Sequence, residues 1–433
     1  MPDILRQWLQ YAPPPNALKP GQRWNIFLSY RSVNRPWVIN LYDVLRGHGH
    51  QVFLDQCAIT GGDPLIEKLE DALDQSQAGV LVWSSASADS AWVRREYETM
   101  ERKADAGFRF VPVRLDDNAL PTFAQRRIFL DFSQYPDGPN GGELLRLLHS
   151  VVGLPLSGDA AHFAAAQDET AKEFTANVKS AVRNGATGQL RKLFEAGGPA
   201  WETSSALGCT VVEGLIKLGE YQAALEVLPE LEQRFPRAIR PKQLRALALA
   251  RRGQEGDLEG AQQVLGGLYE RGEKDPESLG IYARTWMDRY EKSKDALDLR
   301  QSRDLYAEAF ESAKDDYYTG VNAAAKGVFL GTPADIDRGR ESARSVQQLV
   351  GVAALPGDYW KTATVAEVHL MLGNYEQAAA IYGAAVAMAR KERGSHETTW
   401  RQACRLMATL APPAQDRERI RQAFSHLPDC APE

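Results

Sequence analysis

Trp92 and Glu96 are the residues of this chain whose types and spacing point most directly to chemistry. They lie four positions apart in a 433-residue sequence, in the segment Trp92-Val-Arg-Arg-Glu96, which has a helical pattern. Residues i and i+4 share one face of a helix, so the indole ring and the carboxylate would point the same way. A carboxylate in a cleft can stabilise positive charge that develops on a sugar ring and can accept hydrogen bonds from its hydroxyl groups. The alternative is structural, with Trp92 in the core and Glu96 paired with Arg95 or another neighbour.

Three other candidate residues lie where predicted strands end. Tyr30 ends the first strand, Arg31 follows it, and Ser84 ends the third. The forked guanidinium of Arg31 suits a phosphate group. The ring of Tyr30 could line a ligand pocket, and the hydroxyl of Ser84 could donate a hydrogen bond. Each has an ordinary alternative: a surface arginine, a tyrosine buried for packing, and a serine-rich loop that caps the next helix near Ser90.

The N-terminal part of the chain alternates strands with helices. Short apolar runs predict strands at 25–30, 51–55, 78–84, 108–113 and 128–132, with helical patterns at 36–46, 63–75, 90–104 and 142–152. Because these runs are continuously apolar, the strands are expected to be buried on both faces. The order predicts right-handed βαβ units and a five-stranded parallel sheet. Ligands bind such sheets beyond the carboxyl ends of the strands, where the helix that carries Glu96 begins.

Residues 157–433 have almost no strand pattern and predict helices throughout. Leu218-Gly-Glu-Tyr-Gln-Ala-Ala-Leu225 is closely repeated at Leu372-Gly-Asn-Tyr-Glu-Gln-Ala-Ala379. Both segments are typical of a helix hairpin, in which glycine ends one helix and alanine lets the next approach closely. They resemble the tetratricopeptide repeat, which forms solenoids. Residues 317–375 are also similar to the helical TRAF-binding region of a class of mitogen-activated kinase kinase kinases. The predicted domains are an N-terminal extension at 1–21, an α/β domain at 22–155 and an all-α repeat domain at 157–433.

Composition narrows the functional classes. Hydrophobic residues make up 44% of the chain and charged residues 25%, as in ordinary globular proteins. The net charge is −6, from 51 basic and 57 acidic residues, so no general attraction to nucleic acid or to an anionic membrane is expected. No apolar run is long enough to span a bilayer. The four cysteines are scattered without metal-ligand spacing, and the N-terminus lacks the pattern of a secretory leader, which predicts a cytoplasmic protein without a metal site.

Segments of the α/β part resemble, in order and spacing, a TIR domain: Ile26-Phe-Leu-Ser-Tyr-Arg31, Val52-Phe-Leu-Asp55 with Gly61-Gly-Asp63, Val82-Trp-Ser84 with Ser90–Glu96, and Ile128-Phe-Leu-Asp-Phe132. The resemblance implies a flavodoxin-like α/β fold. Residues 56–62 correspond to the BB loop of the family, which shapes the cleft and contacts neighbouring TIR domains. Cys57-Ala58 and Gly61-Gly62 replace the commoner Arg-Asp and Pro-Gly pairs there, which leaves loop-mediated assembly in question.

The resemblance implies an activity, because some TIR domains cleave NAD⁺ at the nicotinamide–ribose bond. Those enzymes carry a glutamate four residues after a tryptophan, the pattern of Trp92 and Glu96. Nicotinamide leaves as a neutral pyridine, so no general acid is needed, and one carboxylate can stabilise the oxocarbenium ion that remains. Arg31 would bind the pyrophosphate, and Tyr30, Ser84 and Trp92 would line the substrate pocket. NAD⁺ enters as the substrate, so no cofactor is expected.

Two functions follow as expectations. The first is a bacterial-type defence or signalling effector: an NAD⁺ glycohydrolase that yields linear or cyclic ADP-ribose and is activated when TIR domains associate. Its helical part would sense a protein partner or drive assembly. The alternative is a non-enzymatic adaptor in which both parts only bind proteins. A helical part that binds a small nucleotide signal is a weaker possibility, because nothing basic or aromatic in it is concentrated enough to argue for that function.

Overall fold

The structure is a computed structural model that describes residues 10–54, 65–87, 91–104, 107–121, 124, 127–135, 138–197, 204–390 and 392–430, without the side chains of 65–66 and 91–96. The chain forms two compact units, Met1–Asp275 and Pro276–Glu433. The predicted domain boundary near residue 155 therefore falls inside the first unit, which combines a sheet with helices.

A parallel sheet forms the centre of the α/β part. Its strands are β1 (Trp24–Ser29), β2 (Val52–Phe53), β3 (Ser76–Trp83), β4 (Arg109–Arg114) and β5 (Leu130–Asp131). They pair in the order β2-β1-β3-β4-β5, and every pairing is parallel. The predicted five-stranded parallel α/β fold is confirmed. The strand order reverses between β1 and β3, and this reversal is the point where doubly wound sheets open a crevice at their carboxyl edge.

Helices cover the sheet: α1 (Arg35–Gly47), α2 (Leu65–Asp74), α3 (Ala91–Ala104) and α4 (Gly141–Val152). The central strand β3 is almost wholly buried, as its continuous apolar sequence predicts. A methyl group at Gly79 of this strand would come 2.7 Å from the sulfur of Met100, so the glycine allows α3 to pack closely.

The rest of the first unit is helical: α5 (Gly158–Arg183), α6 (Thr187–Ala196), α7 (Ala206–Lys217), α8 (Tyr221–Arg234), α9 (Arg240–Arg252) and α10 (Asp257–Glu270). Gly219 lies between α7 and α8 with φ +79°, a conformation that favours glycine and that the Leu-Gly-x-Tyr pattern predicts. The helical fold predicted for this part of the chain is confirmed.

Helix α1 of the α/β part packs against this helical part. The Arg237 guanidinium lies 4.8 Å from the centre of the Tyr42 ring and 3.4 Å from an Asp43 carboxylate oxygen. The Ser205 hydroxyl donates a hydrogen bond to Asn40 over 3.4 Å. Burial raises the pKa of Asp43, and the positive charge of Arg237 opposes that rise. The contact therefore combines buried polar groups with a cation over an aromatic ring.

The second unit consists of α11 (Pro276–Ser293), α12 (Ala296–Ser312), α13 (Tyr317–Phe329), α14 (Pro333–Val350), α15 (Tyr359–Met371), α16 (Tyr375–Met388), α17 (Arg393–Leu410) and α18 (Ala414–Ala423). Trp400 of α17 stacks on Phe424 beyond α18, with ring centres 5.0 Å apart. No helix of the described residues has the length and apolar character that a membrane crossing requires.

A disulfide joins Cys404 of α17 to Cys430 near the end of the chain, with Cα atoms 5.6 Å apart. The scattered spacing of the cysteines along the sequence does not indicate this pair. The two residues are 26 positions apart, and only the return of the chain past α18 brings them together. Cys209 is buried and unpaired.

Candidate active site

The carboxyl ends of β1 and β3 meet at the point where the strand order reverses. The Asn34 side-chain amide, in a 3-10 turn at Ser32–Asn34, donates a hydrogen bond to the Ser84 hydroxyl over 2.9 Å. Ser84 is 6% exposed, and its backbone N–H donates to the Ser87 hydroxyl over 3.2 Å. The structure thus brings the loops after both strands together, with Ser84 between them.

Tyr30 lies at the same edge and is fixed by a residue that the sequence analysis missed. The Tyr30 hydroxyl accepts a hydrogen bond from Arg35 over 2.5 Å. Arg35 is 3% exposed, and its guanidinium also donates twice to the Glu273 carboxylate, once at 3.3 Å and once at shorter range. Glu273 follows α10 of the helical part, so one buried arginine connects the sheet edge to the helices. Nothing in the sequence pairs two residues that are 238 positions apart.

Arg31 is half-buried in extended backbone immediately before the 3-10 turn. Its carbonyl accepts a hydrogen bond from the Asn34 backbone N–H over 2.8 Å, so the backbone of Arg31 also lies at this edge. Of the predicted site residues, Tyr30, Arg31 and Ser84 are therefore brought together.

Asp116, beyond β4, extends the edge and was also missed by the sequence analysis. One of its carboxylate oxygens accepts the Ser85 backbone N–H over 2.6 Å, and the other accepts that of Asn118 over 3.0 Å. The carboxylate therefore holds the loop after β3 against the loop after β4. An aspartate two residues beyond a buried strand is the only hint that the sequence offers.

Trp92 and Glu96 lie on α3, the first helix after β3, but their side chains are outside the described part of the structure. The residues that follow them fix the helix against the sheet. The ring centre of Tyr97 is 6.3 Å from that of Trp83, and Met100 is fully buried. Glu96 is one helical turn before Met100. Residues 56–62, with Cys57 and the glycine pair, lie outside the described residues.

Comparison with known proteins assigns two segments of the chain. Residues 26–147 match the family model of the TIR domain. Residues 220–327 match the model described as Tetratricopeptide Repeats-Sensor. The chain carries a TIR domain followed by tetratricopeptide sensor repeats. The resemblance to the TRAF-binding region of kinase kinase kinases receives no support from these matches.

Solved structures similar to this chain include two repeat proteins. A thermophilic TPR protein of Thermus thermophilus shares 16% identity over 46% of this chain and 96% of its own, with a TM-score of 0.35. A tetratricopeptide repeat protein of Parabacteroides merdae shares 11% identity over 50% of this chain and 78% of its own, with a TM-score of 0.34. A search of curated proteins finds no match.

The match places the described edge inside the TIR domain. Tyr30, Arg31, Asn34, Ser84 and Asp116 all lie between residues 26 and 147. Glu273 lies within the range matched by the sensor repeats. The Arg35–Glu273 contact is thus an interaction between the TIR domain and its repeats.

Proposed function

We propose that the TIR domain cleaves NAD⁺ at the nicotinamide–ribose bond and that Glu96 is the catalytic residue. The observation that carries the proposal is the sheet edge: the loops after β1 and β3 are joined through Asn34 and Ser84, and the helix that bears Glu96 begins directly after the second loop. Crevices of this kind bind nucleotides in other doubly wound sheets. The TIR match supports the proposal, because many TIR domains have this activity.

The reaction requires one carboxylate and no general acid. The carbon–nitrogen bond breaks with its electron pair on nicotinamide, which leaves neutral, and an oxocarbenium ion remains on the ribose. Glu96 would stabilise that cation until water adds and loses a proton, or until an internal nucleophile closes a ring. Arg31 would bind the pyrophosphate, while Tyr30, Ser84 and Trp92 would position the nicotinamide riboside. NAD⁺ is consumed as a substrate, so the reaction uses no further cofactor.

We also propose that the sensor repeats hold this site at low activity. Arg35 is the cation next to Tyr30, and the Glu273 carboxylate already occupies its guanidinium. A carboxylate and a phosphate bind arginine through the same forked geometry, so Glu273 would compete at Arg35 with the pyrophosphate, which Arg31 would bind from the other side of the turn. A movement of the repeats that withdrew Glu273 would free Arg35 for NAD⁺. Association of TIR domains, expected from the family, would supply such a movement at high concentration.

Glu96→Gln tests the catalytic assignment. NAD⁺ loss by the full-length protein at high concentration should fall at least 100-fold, because stabilisation of the charged transition state is removed. Glu98→Gln is the matched control, since Glu98 is exposed on the same helix, and it should keep wild-type turnover. Equal turnover in the wild type and Glu96→Gln would refute the assignment.

The adaptor function remains the second candidate, favoured by the unusual residues at 57–62. An adaptor needs TIR association but no chemistry. If the wild type associates at high concentration without NAD⁺ loss, and Glu96→Gln preserves the biological effect, the adaptor function is correct and the enzymatic proposal is wrong.

A further inference from the structure

We propose that the second unit binds a nucleoside diphosphate or a similar phosphorylated small molecule in a groove between α17, α18 and the end of the chain. The groove encloses about 1000 Å³. Pockets for small ligands usually measure about 300–1,000 Å³, so this one has room for a nucleotide. The proposal does not depend on the activity of the TIR domain.

Cations dominate the walls of the groove. Its basic residues are Lys294, Arg393, Arg401, Arg405, Arg417 and Arg421, against the acidic residues Glu397, Glu418 and Asp429. The residues of α17 recur at intervals of three and four, as do those of α18, so each helix turns one basic face to the groove. Lys294 arrives from the turn between α11 and α12. This convergence explains why the cations are not conspicuous along the sequence.

Two of the arginines are available to a ligand. Arg401 of α17 and Arg417 of α18 are exposed, and neither side chain forms an ion pair or a hydrogen bond with any described residue. The other cations are more engaged: Arg405 donates to Glu291 over 2.8 Å, and Arg393 donates to Glu397 over 2.9 Å. Free guanidinium groups on two different helices of the lining suit a ligand with more than one phosphate, because each can bind phosphate oxygens in a fork.

The groove is also built to keep its shape. Arg421 donates to the carbonyl groups of Phe424 and Leu427 over 2.8 and 3.0 Å, and it pairs with Asp429. These bonds and the Cys404–Cys430 disulfide fix the end of the chain as a third wall. A wall that is already fixed reduces the entropy cost of binding.

Unusual backbone conformations flank the groove. Among the described residues, the two non-glycine residues with positive φ are Lys294, at +56°, and Ala411, at +47°. Lys294 lines the groove, and Ala411 lies in the turn that joins its two walls. Such conformations cost free energy and concentrate at functional sites. They are an observation independent of the charges.

The apolar part of the lining decides the class of ligand. Met407, Ala408, Ala414, Leu427 and Pro428 face the groove beside the arginines. A surface that combines apolar atoms with free guanidinium groups fits a base or another flat apolar group attached to phosphates. An acidic peptide would offer separate carboxylates and less to fill the apolar part.

Calorimetric titration of the full-length protein with ADP tests the proposal, with adenosine as the probe that lacks phosphate. We expect ADP to bind and adenosine to bind at least tenfold more weakly. The double substitution Arg401→Glu/Arg417→Glu should weaken ADP at least tenfold, which separates this groove from any ADP bound at the TIR domain. Arg344→Glu, at an exposed arginine of α14 outside the groove, should leave the affinity unchanged.

Three results would overturn the proposal: no ADP binding at millimolar concentration, ADP affinity that survives the double charge reversal, or tighter binding of a polyglutamate peptide than of ADP. If circular dichroism shows that the charge reversal prevents folding, Arg401→Gln/Arg417→Gln replaces it. The same tenfold threshold then applies.

Discussion

The carboxyl edge of the TIR sheet and the basic groove of the second unit are two candidate ligand sites with opposite construction. At the sheet edge, topology places a few polar side chains together, and they bond to one another: Asn34 to Ser84, and Tyr30 to Arg35. In the groove, helix periodicity gathers the five arginines of α17 and α18, and tertiary packing adds Lys294. The side chains of Arg401 and Arg417 have no partner among the described residues. A ligand must displace existing bonds at the edge, whereas it meets open guanidinium groups in the groove. The first arrangement suits a controlled enzyme, and the second suits a sensor.

The largest expected effect is that of replacing Arg35, because its hydrogen bonds connect the sheet edge to the repeats. Arg35→Ala leaves the buried side of Glu273 without its cation, and the loss of one partner of such a pair costs about 3–5 kcal/mol. Hydrogen exchange should show faster opening of β1 and α1, while ADP affinity at the groove stays at its wild-type value. The control is Arg46→Ala, at an exposed position of the same helix. Equal protection of β1 in both variants would contradict the role given to Arg35.

The next largest effect is expected at the groove, where the Cys404–Cys430 disulfide helps to fix the end of the chain. The loop that it closes has 26 residues, and loops of this size gain about 3 kcal/mol from the crosslink. Cys404→Ser/Cys430→Ser should therefore speed hydrogen exchange in α18 and weaken ADP binding, with NAD⁺ turnover unchanged. Cys209→Ser tests whether the effect is specific to the pair. Unchanged exchange in α18 would show that the disulfide does not maintain the groove.

The smallest expected effect is a loss of stability of the TIR domain at low pH. Burial lowers the pKa of His50, which is 1% exposed between α1 and β2, to about 4 from its ordinary value near 6.5. The unfolded chain then binds more protons between pH 6.5 and 4, so folding stability falls as the pH falls through that window, by about 2 kcal/mol at pH 5.

Urea unfolding, monitored through hydrogen exchange of β1, should show this loss of folding stability between pH 7 and pH 5. His50→Asn should reduce the pH dependence of the stability that β1 reports. His162→Asn, at an exposed position of α5, should not. A pH dependence that is unchanged by His50→Asn would assign it to other groups.

The sequence predicted most of the fold but only part of the two sites. Continuous apolar strands and the Leu-Gly-x-Tyr repeats identify local elements, and the alternation of strands with helices predicts a parallel sheet. Tyr30, Arg31 and Ser84 could be predicted because each lies beside a recognisable strand end. Glu273 could not, since it lies 238 positions from Arg35 and meets it only through tertiary packing. The groove and the disulfide were missed for the same reason: Lys294 and Cys430 reach their positions only through tertiary packing.

The central claim is that the TIR edge cleaves NAD⁺ and that Glu273 of the repeats restrains it. The most direct test is NAD⁺ loss over a range of protein concentrations for the wild type, Glu273→Gln and Glu273→Gln/Glu96→Gln. The account predicts at least fivefold faster turnover for Glu273→Gln at low concentration, convergence with the wild type at high concentration, and no turnover in the double variant. Turnover of Glu273→Gln equal to that of the wild type at low concentration would contradict the restraint. Turnover that persists in the double variant, or is absent from all three proteins at every concentration, would contradict the enzymatic claim itself.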